Sequence, residues 1–264
     1  MFSLNLKPSQ YQQTLPYPHL FIDNVLDEQI ASNIQQEILD IPDDKWDRYN
    51  NPFEQKYTLR NKNTMPDKCT ELFQHLESDD FIKQLSVLTG KELCKDESKN
   101  FWGIHKYDDG DKLDIHVDAG LHPNKEYKKQ VTLGIYLSSN WTEENGGHLE
   151  IWKGDNASND NALLYTCENK ILPKFNRLVL FTCDDYSWHG NPSPVKCNNT
   201  SEKRIFLTMS YLSKDFSDFN KRTKAFFIKL PSEIETLELK QLRLNRANGN
   251  TYKQVYNCGI NGNK

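Results

Sequence analysis

The 264-residue chain suffices for one large domain or two small ones, and folding can take roughly three-quarters of its unfolded surface out of water. Its 36% hydrophobic, 11% aromatic and 27% charged residues exclude a natively disordered chain. With 33 basic residues against 37 acidic ones the net charge is −4, and no dense basic block is present, which argues against a general nucleic-acid binder. No stretch approaches the roughly 20 apolar residues of a membrane span. Residues 1–8 hold no signal-peptide core and residues 261–264 no retention or lipidation signal, so the expected compartment is the cytoplasm. The six cysteines, Cys69, Cys94, Cys167, Cys183, Cys197 and Cys258, are widely spaced without a C-x-x-C. Free thiols are expected, rather than a zinc site.

In chain order, the apolar run over 20–26 reads as a strand, and Asp27 as the cap of a helix carrying Ile30, Ile34, Ile38 and Ile41 until Pro42. A second helical region starts near Pro66. Its stripes are Leu72, Phe73 and Leu76, then Phe81, Ile82, Leu85 and Leu88, ended by Gly90. From about residue 100 the apolar period shortens to two. Strands are expected over 101–107, 113–118, 131–137, 149–152, 178–181 and 205–212. The run 108–111 is expected as a solvated turn, and polar connections fill 154–161 and 196–201. Helical character returns around Ile234, Leu237 and Leu242. The pattern predicts a mainly β core with flanking helices, an α+β sandwich or barrel, with no internal repeat and no forced domain boundary.

The chemistry concentrates in Leu113-Asp114-Ile115-His116-Val117-Asp118. Residues two apart on a strand share a face, so His116 and Asp118 can converge on one ion while Ile115 and Val117 enter an apolar layer. H-x-D alone is weak, since such residues also occur in solvated loops. His189 lies 73 residues beyond His116, just after a strand, which leaves room for four intervening strands to bring it back. Two imidazoles and one carboxylate make a facial triad that suits Fe(II) and leaves positions open for substrate and O₂. Farther on, Arg204, Phe206, Thr208 and Ser210 share one strand face. An inward arginine needs a partner, and a bidentate bound carboxylate is one; a surface acid at the strand's wet end is the other.

At this point the sequence resembles the Fe(II)- and 2-oxoglutarate-dependent dioxygenases, in particular their prolyl 4-hydroxylase-like branch. The resemblance runs over about 107–211. It rests on His116-Val117-Asp118, the run 131–137, Asn140-Trp141, Gly146-Gly147-His148-Leu149 and the run 175–181, with 18–26 resembling the branch's opening strand and helix entry. It implies a double-stranded β-helix, or jelly roll, as the catalytic core over 99–213, supported by helices in 1–98 and followed by an extension over 214–264. It implies His116, Asp118 and His189 as iron ligands and Arg204 as the grip on the distal carboxylate of 2-oxoglutarate. Thr208 and Tyr136 are expected near that carboxylate, and Tyr107 near the metal-chelating end. The cofactors implied are Fe(II), 2-oxoglutarate and O₂, with ascorbate as a candidate reductant. The long link between His189 and Arg204 makes Lys203 a rival anchor, although it belongs to the opposite strand face.

The implied reaction is hydroxylation of an aliphatic C–H, on a peptidyl proline or alternatively on a small metabolite such as a free amino acid or a sugar-linked compound. A cupin-like binding or isomerase module without oxidative chemistry is the third reading; three ligands plus an inward Arg204 favour the first two. The partner is thus a protein, peptide or small-molecule substrate. Its walls are sought in 46–65, in 119–129 and from 214 onward, because substrate choice resides in loops. His105 is expected to pack in its strand, His122 to sit in a loop and His148 on a sheet surface. Trp102, Trp152 and Trp188 are expected in core or rim, Trp188 with the option of lining the cleft.

Overall fold

The computed structural model describes residues 2–159, 161–216 and 221–257. Cys258 and residues 261–264 lie outside them. Short α1 (Ser9–Gln12) and β1 (His19–Ile22) precede α2 (Glu28–Leu39), whose Asp27 cap accepts from the backbone N–H groups of Gln29 and Ile30. The hairpin β2 (Asp47–Asn51) and β3 (Glu54–Leu59) leads to α3 (Asp67–Leu76) and α4 (Asp79–Thr89). Gly90 ends α4 with a left-handed φ of 69°. Then follow β4 (Trp102–Tyr107), β5 (Lys112–Val117), β6 (Lys128–Tyr136), β7 (Leu149–Gly154), β8 (Leu164–Ile171), β9 (Arg177–Thr182), β10 (Trp188–Asn191), β11 (Arg204–Ser213) and β12 (Phe226–Phe227). The described chain closes with α5 (Leu237–Ala247) and α6 (Tyr252–Asn257).

The strands join edge to edge in the order β1-β9-β6-β11-β4-β3-β5-β10-β7-β8, every pairing antiparallel, with β2 on β3 and β12 on β5. This sheet curls into a nearly closed barrel, the jelly-roll core that the family resemblance implies. Strand parity decides what lies on each side. Val131, Leu133 and Ile135 of β6 and Ile205, Leu207 and Met209 of β11 turn outward and pack under Ile34 and Ile38 of α2, Leu72 and Phe73 of α3 and Phe81 and Leu85 of α4. Their alternates, Thr132 and Tyr136 on β6 and Arg204, Phe206, Thr208 and Ser210 on β11, face the barrel interior. Burying the outer row against the helices contributes about 1.5–3 kcal/mol per large side chain, and that layer leaves the inner row free to carry polar chemistry.

The structure departs from the sequence expectations in several places. β2, β3, β8, β10 and β12 lie outside the expected strands. The turn 108–111 is not simply solvated: Asp111 is buried and takes a bidentate pair from Arg48 at 2.6 and 2.7 Å. Ile234 lies ahead of α5 and is exposed, as is Leu237, while Leu242 packs inward. Trp188 does not line the cleft. It is fully buried with Ile115 and Val117, and its indole N–H donates to the Asp155 carbonyl at 2.8 Å. The five described cysteines are free.

Candidate active site

His116 sits near the end of β5 and Asp118 just beyond it. His189 lies within β10 rather than after a strand, and it pairs directly with His116 across the antiparallel ladder. Four strands, β6 to β9, do intervene, as the spacing suggests. The imidazole Nε2 of His116 lies 3.6 Å from one Asp118 oxygen and that of His189 3.8 Å from the other. One ligand atom from each residue lies within 4.8 Å of the other two, and the 3.6 and 3.8 Å imidazole–carboxylate gaps are within the ~4.2 Å that two metal–ligand bonds of about 2.1 Å can bridge. Both Nδ1 atoms are engaged by carbonyls, that of His116 by Asp114 at 2.9 Å and that of His189 by Ser187 at 2.8 Å. Each N–H donated there fixes the tautomer and turns the Nε2 lone pair toward the common point.

Protonation suits a divalent cation. Burial, with the neighbouring His116 as the next cause, lowers the His189 pKa to about 3, so its imidazole is neutral. Burial works against a charged Asp118, but Lys129 and the two imidazoles outweigh it and hold the carboxyl well below the usual range. The Lys129 ammonium donates to Asp118 Oδ2 at 2.5 Å. Lys129 escaped the sequence reading, because nothing in a run of strand residues marks a lysine as inward-facing.

Arg204 is the second candidate site residue. It is 2% exposed, and its Nε donates to the Gly147 carbonyl at 2.8 Å. Its guanidinium carbon lies 4.6 Å from the Tyr107 ring centre and 5.1 Å from that of Tyr136, and it reaches the Tyr136 hydroxyl at 3.4 Å. Burial raises both tyrosine pKa values to about 12 against the pull of Arg204, so both hydroxyls stay protonated. No carboxylate among the described residues pairs with Arg204, so this buried cation is a natural seat for a ligand carboxylate. Lys203 points the other way and pairs with Asp108 at 2.9 Å. Thr208 lines the same cavity and donates to the Leu133 carbonyl at 3.1 Å, which leaves its oxygen lone pairs available. Tyr107 packs with Trp141 and Val195 and lies under the Arg204 guanidinium, which sets it beside that side chain.

Ligand trio and arginine open into one cavity of about 320 Å³. All three segments singled out as walls contribute: Glu54 and Arg60 from 46–65, Ala119 and Lys129 from 119–129, and Lys224 and Tyr256 from the C-terminal region. His105 and Trp102 also line it, whereas His148 contacts Glu143 at 2.6 Å. His122 is in a loop as expected, yet it is buried against Asp96 at 3.2 Å. The residues fit the groups implied: a neutral-imidazole and carboxylate set for Fe(II), and an unpaired buried guanidinium for a dicarboxylate.

Residues 102–212 match the family model of the 2OG-Fe(II) oxygenase superfamily. A search of curated proteins found no match. Among solved structures, a Trichoplax adhaerens prolyl hydroxylase in complex with a hypoxia inducible factor oxygen degradation domain peptide fragment is 18% identical, with 80% of this chain and 89% of that one covered at a TM-score of 0.57. A Pseudomonas putida prolyl-4-hydroxylase is 12% identical, with 78% and 98% covered at 0.55. An oxidoreductase of the 2OG-Fe(II) oxygenase family from Burkholderia pseudomallei is 11% identical, with 84% and 97% covered at 0.50. The matched segment holds all three candidate ligands and Arg204, and over these residues the chain is similar to the 2OG-Fe(II) oxygenase superfamily.

Proposed function

We propose that this dioxygenase hydroxylates a peptidyl proline, with Fe(II) held by His116, Asp118 and His189 and 2-oxoglutarate anchored by Arg204. The observation that carries the reading is the placement of the ligand trio and the buried guanidinium on the walls of one cavity. The fold likeness to two prolyl hydroxylases supports the choice of substrate. When bound, Fe(II), 2-oxoglutarate and O₂ supply the oxidising power for C–H hydroxylation. The chain supplies the rest. Asp114 and Ser187 carbonyls orient the two imidazoles, and Lys129 holds the Oδ2 of Asp118. Arg204, held by Gly147 and the two tyrosine rings, receives the distal carboxylate with Tyr136 and Thr208 at its side. Buried Phe181 and Phe227 pack against His189 and His116 at 4.5 and 5.0 Å and keep bulk water from the metal face.

Ascorbate as reductant and a cytoplasmic setting complete the proposal. Five free cysteines support a reducing compartment, and no helix among the described residues is long and apolar enough to cross a membrane. The test is mass spectrometry of proline-containing peptides, free amino acids and nucleotide sugars incubated with the Fe(II)-loaded protein, 2-oxoglutarate and ascorbate. Gain of one oxygen on proline with matching succinate release is the expected result. Oxygen incorporated only into a small metabolite would overturn the prolyl assignment, and fluorescent-tag imaging outside the cytoplasm would overturn the location.

A further inference from the structure

The cavity wall is cationic in an acidic protein. Lys56, Arg60, Lys129, Arg204, Lys224 and Arg246 line it against only Glu54 and Asp118, while the whole chain carries −4. Both carboxylates are already taken. Glu54 lies 3.5 Å from Lys56 and 3.0 Å from Arg246, and Asp118 is held by Lys129 beside the ligand histidines. Arg204 serves the cosubstrate. A bound Fe(II) and a 2-oxoglutarate dianion cancel each other, so they leave the wall's positive field in place. The His105 imidazole reports that field: burial, then Lys56, Arg60, Arg204 and Lys129, hold its pKa well below the ordinary value.

Two cations remain for a substrate. Among the described residues neither Arg60 nor Lys224 pairs with a carboxylate. Each rests instead on a tyrosine. Arg60 donates to the Tyr49 hydroxyl, and the Lys224 ammonium stands 3.7 Å from the Tyr252 ring centre. The rings between them form a row, Tyr49 to Tyr256 at 5.5 Å and Tyr256 to Tyr252 at 6.4 Å. The row crosses from the β2–β3 hairpin to the C-terminal α6, the outer rim of the cavity. Cations propped at both ends of an aromatic row suit an extended chain with separated acidic side chains better than a compact phosphate.

We propose that Arg60, Lys224 and the tyrosine row form a subsite for an acidic peptide, so that the hydroxylated residue is flanked by Asp or Glu. The proposal rests on the prolyl reading for its target atom and on the rim alone for its charge. Guanidinium and ammonium would each donate to one peptide carboxylate while the peptide backbone lies along the rings.

The test titrates the Mn(II)- and 2-oxoglutarate-loaded protein with three fluorescent proline peptides, flanked by Glu, Gln or Lys, at low and high NaCl. The Glu peptide is expected to bind at least ~tenfold tighter than the Gln peptide, with the gap shrinking in salt. In an Arg60→Glu/Lys224→Glu variant the order is expected to reverse in favour of Lys. Equal binding of Glu and Gln peptides to the unaltered protein would overturn the subsite whether or not the variant folds. Equal hydroxylation of those two peptides by the Fe(II) enzyme would likewise overturn the subsite and leave the prolyl reading standing. Tight, salt-sensitive Glu-peptide binding without oxygen gain would keep the subsite and overturn the prolyl reading. Displacement of the Glu peptide by a nucleotide sugar that is itself oxidised would overturn the acidic-peptide assignment.

Discussion

Glu54 is the perturbation that tests the electrostatic architecture most directly. It is 3% exposed, and its carboxylate binds Lys56, Arg246 and the Tyr256 hydroxyl, the last at 3.0 Å. Burial alone would raise its pKa; Lys56 and Arg246 prevail and lower it from 4.5 to about 2. A carboxyl depressed in the folded state stabilises the fold above its unfolded pKa, and that stability is lost as pH falls through the folded value. At about 1.4 kcal/mol per pKa unit the gap is worth ~3 kcal/mol near neutrality, with roughly 40% of it gone by about pH 3.5. The assay is urea unfolding of the unaltered protein and of Glu54→Gln across this pH window. Glu54→Gln is expected to be less stable at neutral pH, and the difference is expected to narrow by more than ~1 kcal/mol on acidification, other carboxyls cancelling between the two proteins. A difference that stays constant from pH ~7 to ~3.5 would refute the reasoning and show that the cluster's cations do not hold Glu54 ionised.

Three further expectations concern the site. Arg204→Ala removes a charged, two-pronged partner worth about 1.5–3 kcal/mol, so the KM for 2-oxoglutarate should rise at least ~tenfold, whereas Lys203→Ala, which breaks only the Asp108 pair, should leave it near the unaltered value. Gly147→Ala would place a Cβ 2.7 Å from Val195 and 2.9 Å from the Arg204 Cδ at a φ of +65°. Isothermal titration should show 2-oxoglutarate affinity falling several-fold while Mn(II) affinity changes little, and equal losses in both would contradict the placement. Lys129→Met releases the Oδ2 of Asp118 from its ammonium partner, and Mn(II) binding followed by electron paramagnetic resonance is expected to weaken ~10–100-fold. Unaltered Mn(II) binding would assign Lys129 no part in holding that carboxylate.

Strand parity made much of the site readable. His116 on one face of β5 and Asp118 two residues on, just past its end, with Ile115 and Val117 on the other face, follow from a period of two, and so does the inward row from Arg204 to Ser210. The same reasoning missed β3, whose inward residues Glu54, Lys56 and Thr58 face a polar cavity. A strand that lines such a cavity loses the apolar alternation that announces it. β8 was missed for the complementary reason: most of its residues are exposed, at the end of the strand path, so little hydrophobicity is required of them. Pairs such as Glu54 with Arg246 and Arg48 with Asp111 join charges far apart in the chain, and only the closed fold brings them together. Asp111 therefore read as a wet turn although it is buried.

The cross-strand pairing of His116 with His189 also sets when the proposed metal site can exist. His116 and Asp118 meet through local chain geometry, but two ligands alone grip a divalent ion weakly. The third arrives only when β10 docks beside β5, after the four strands between them have been synthesised. Such long-range antiparallel contacts are slow to form because the intervening chain must be closed first. With the proposed ligand set, iron capture would follow the docking of β10 on β5 rather than precede it.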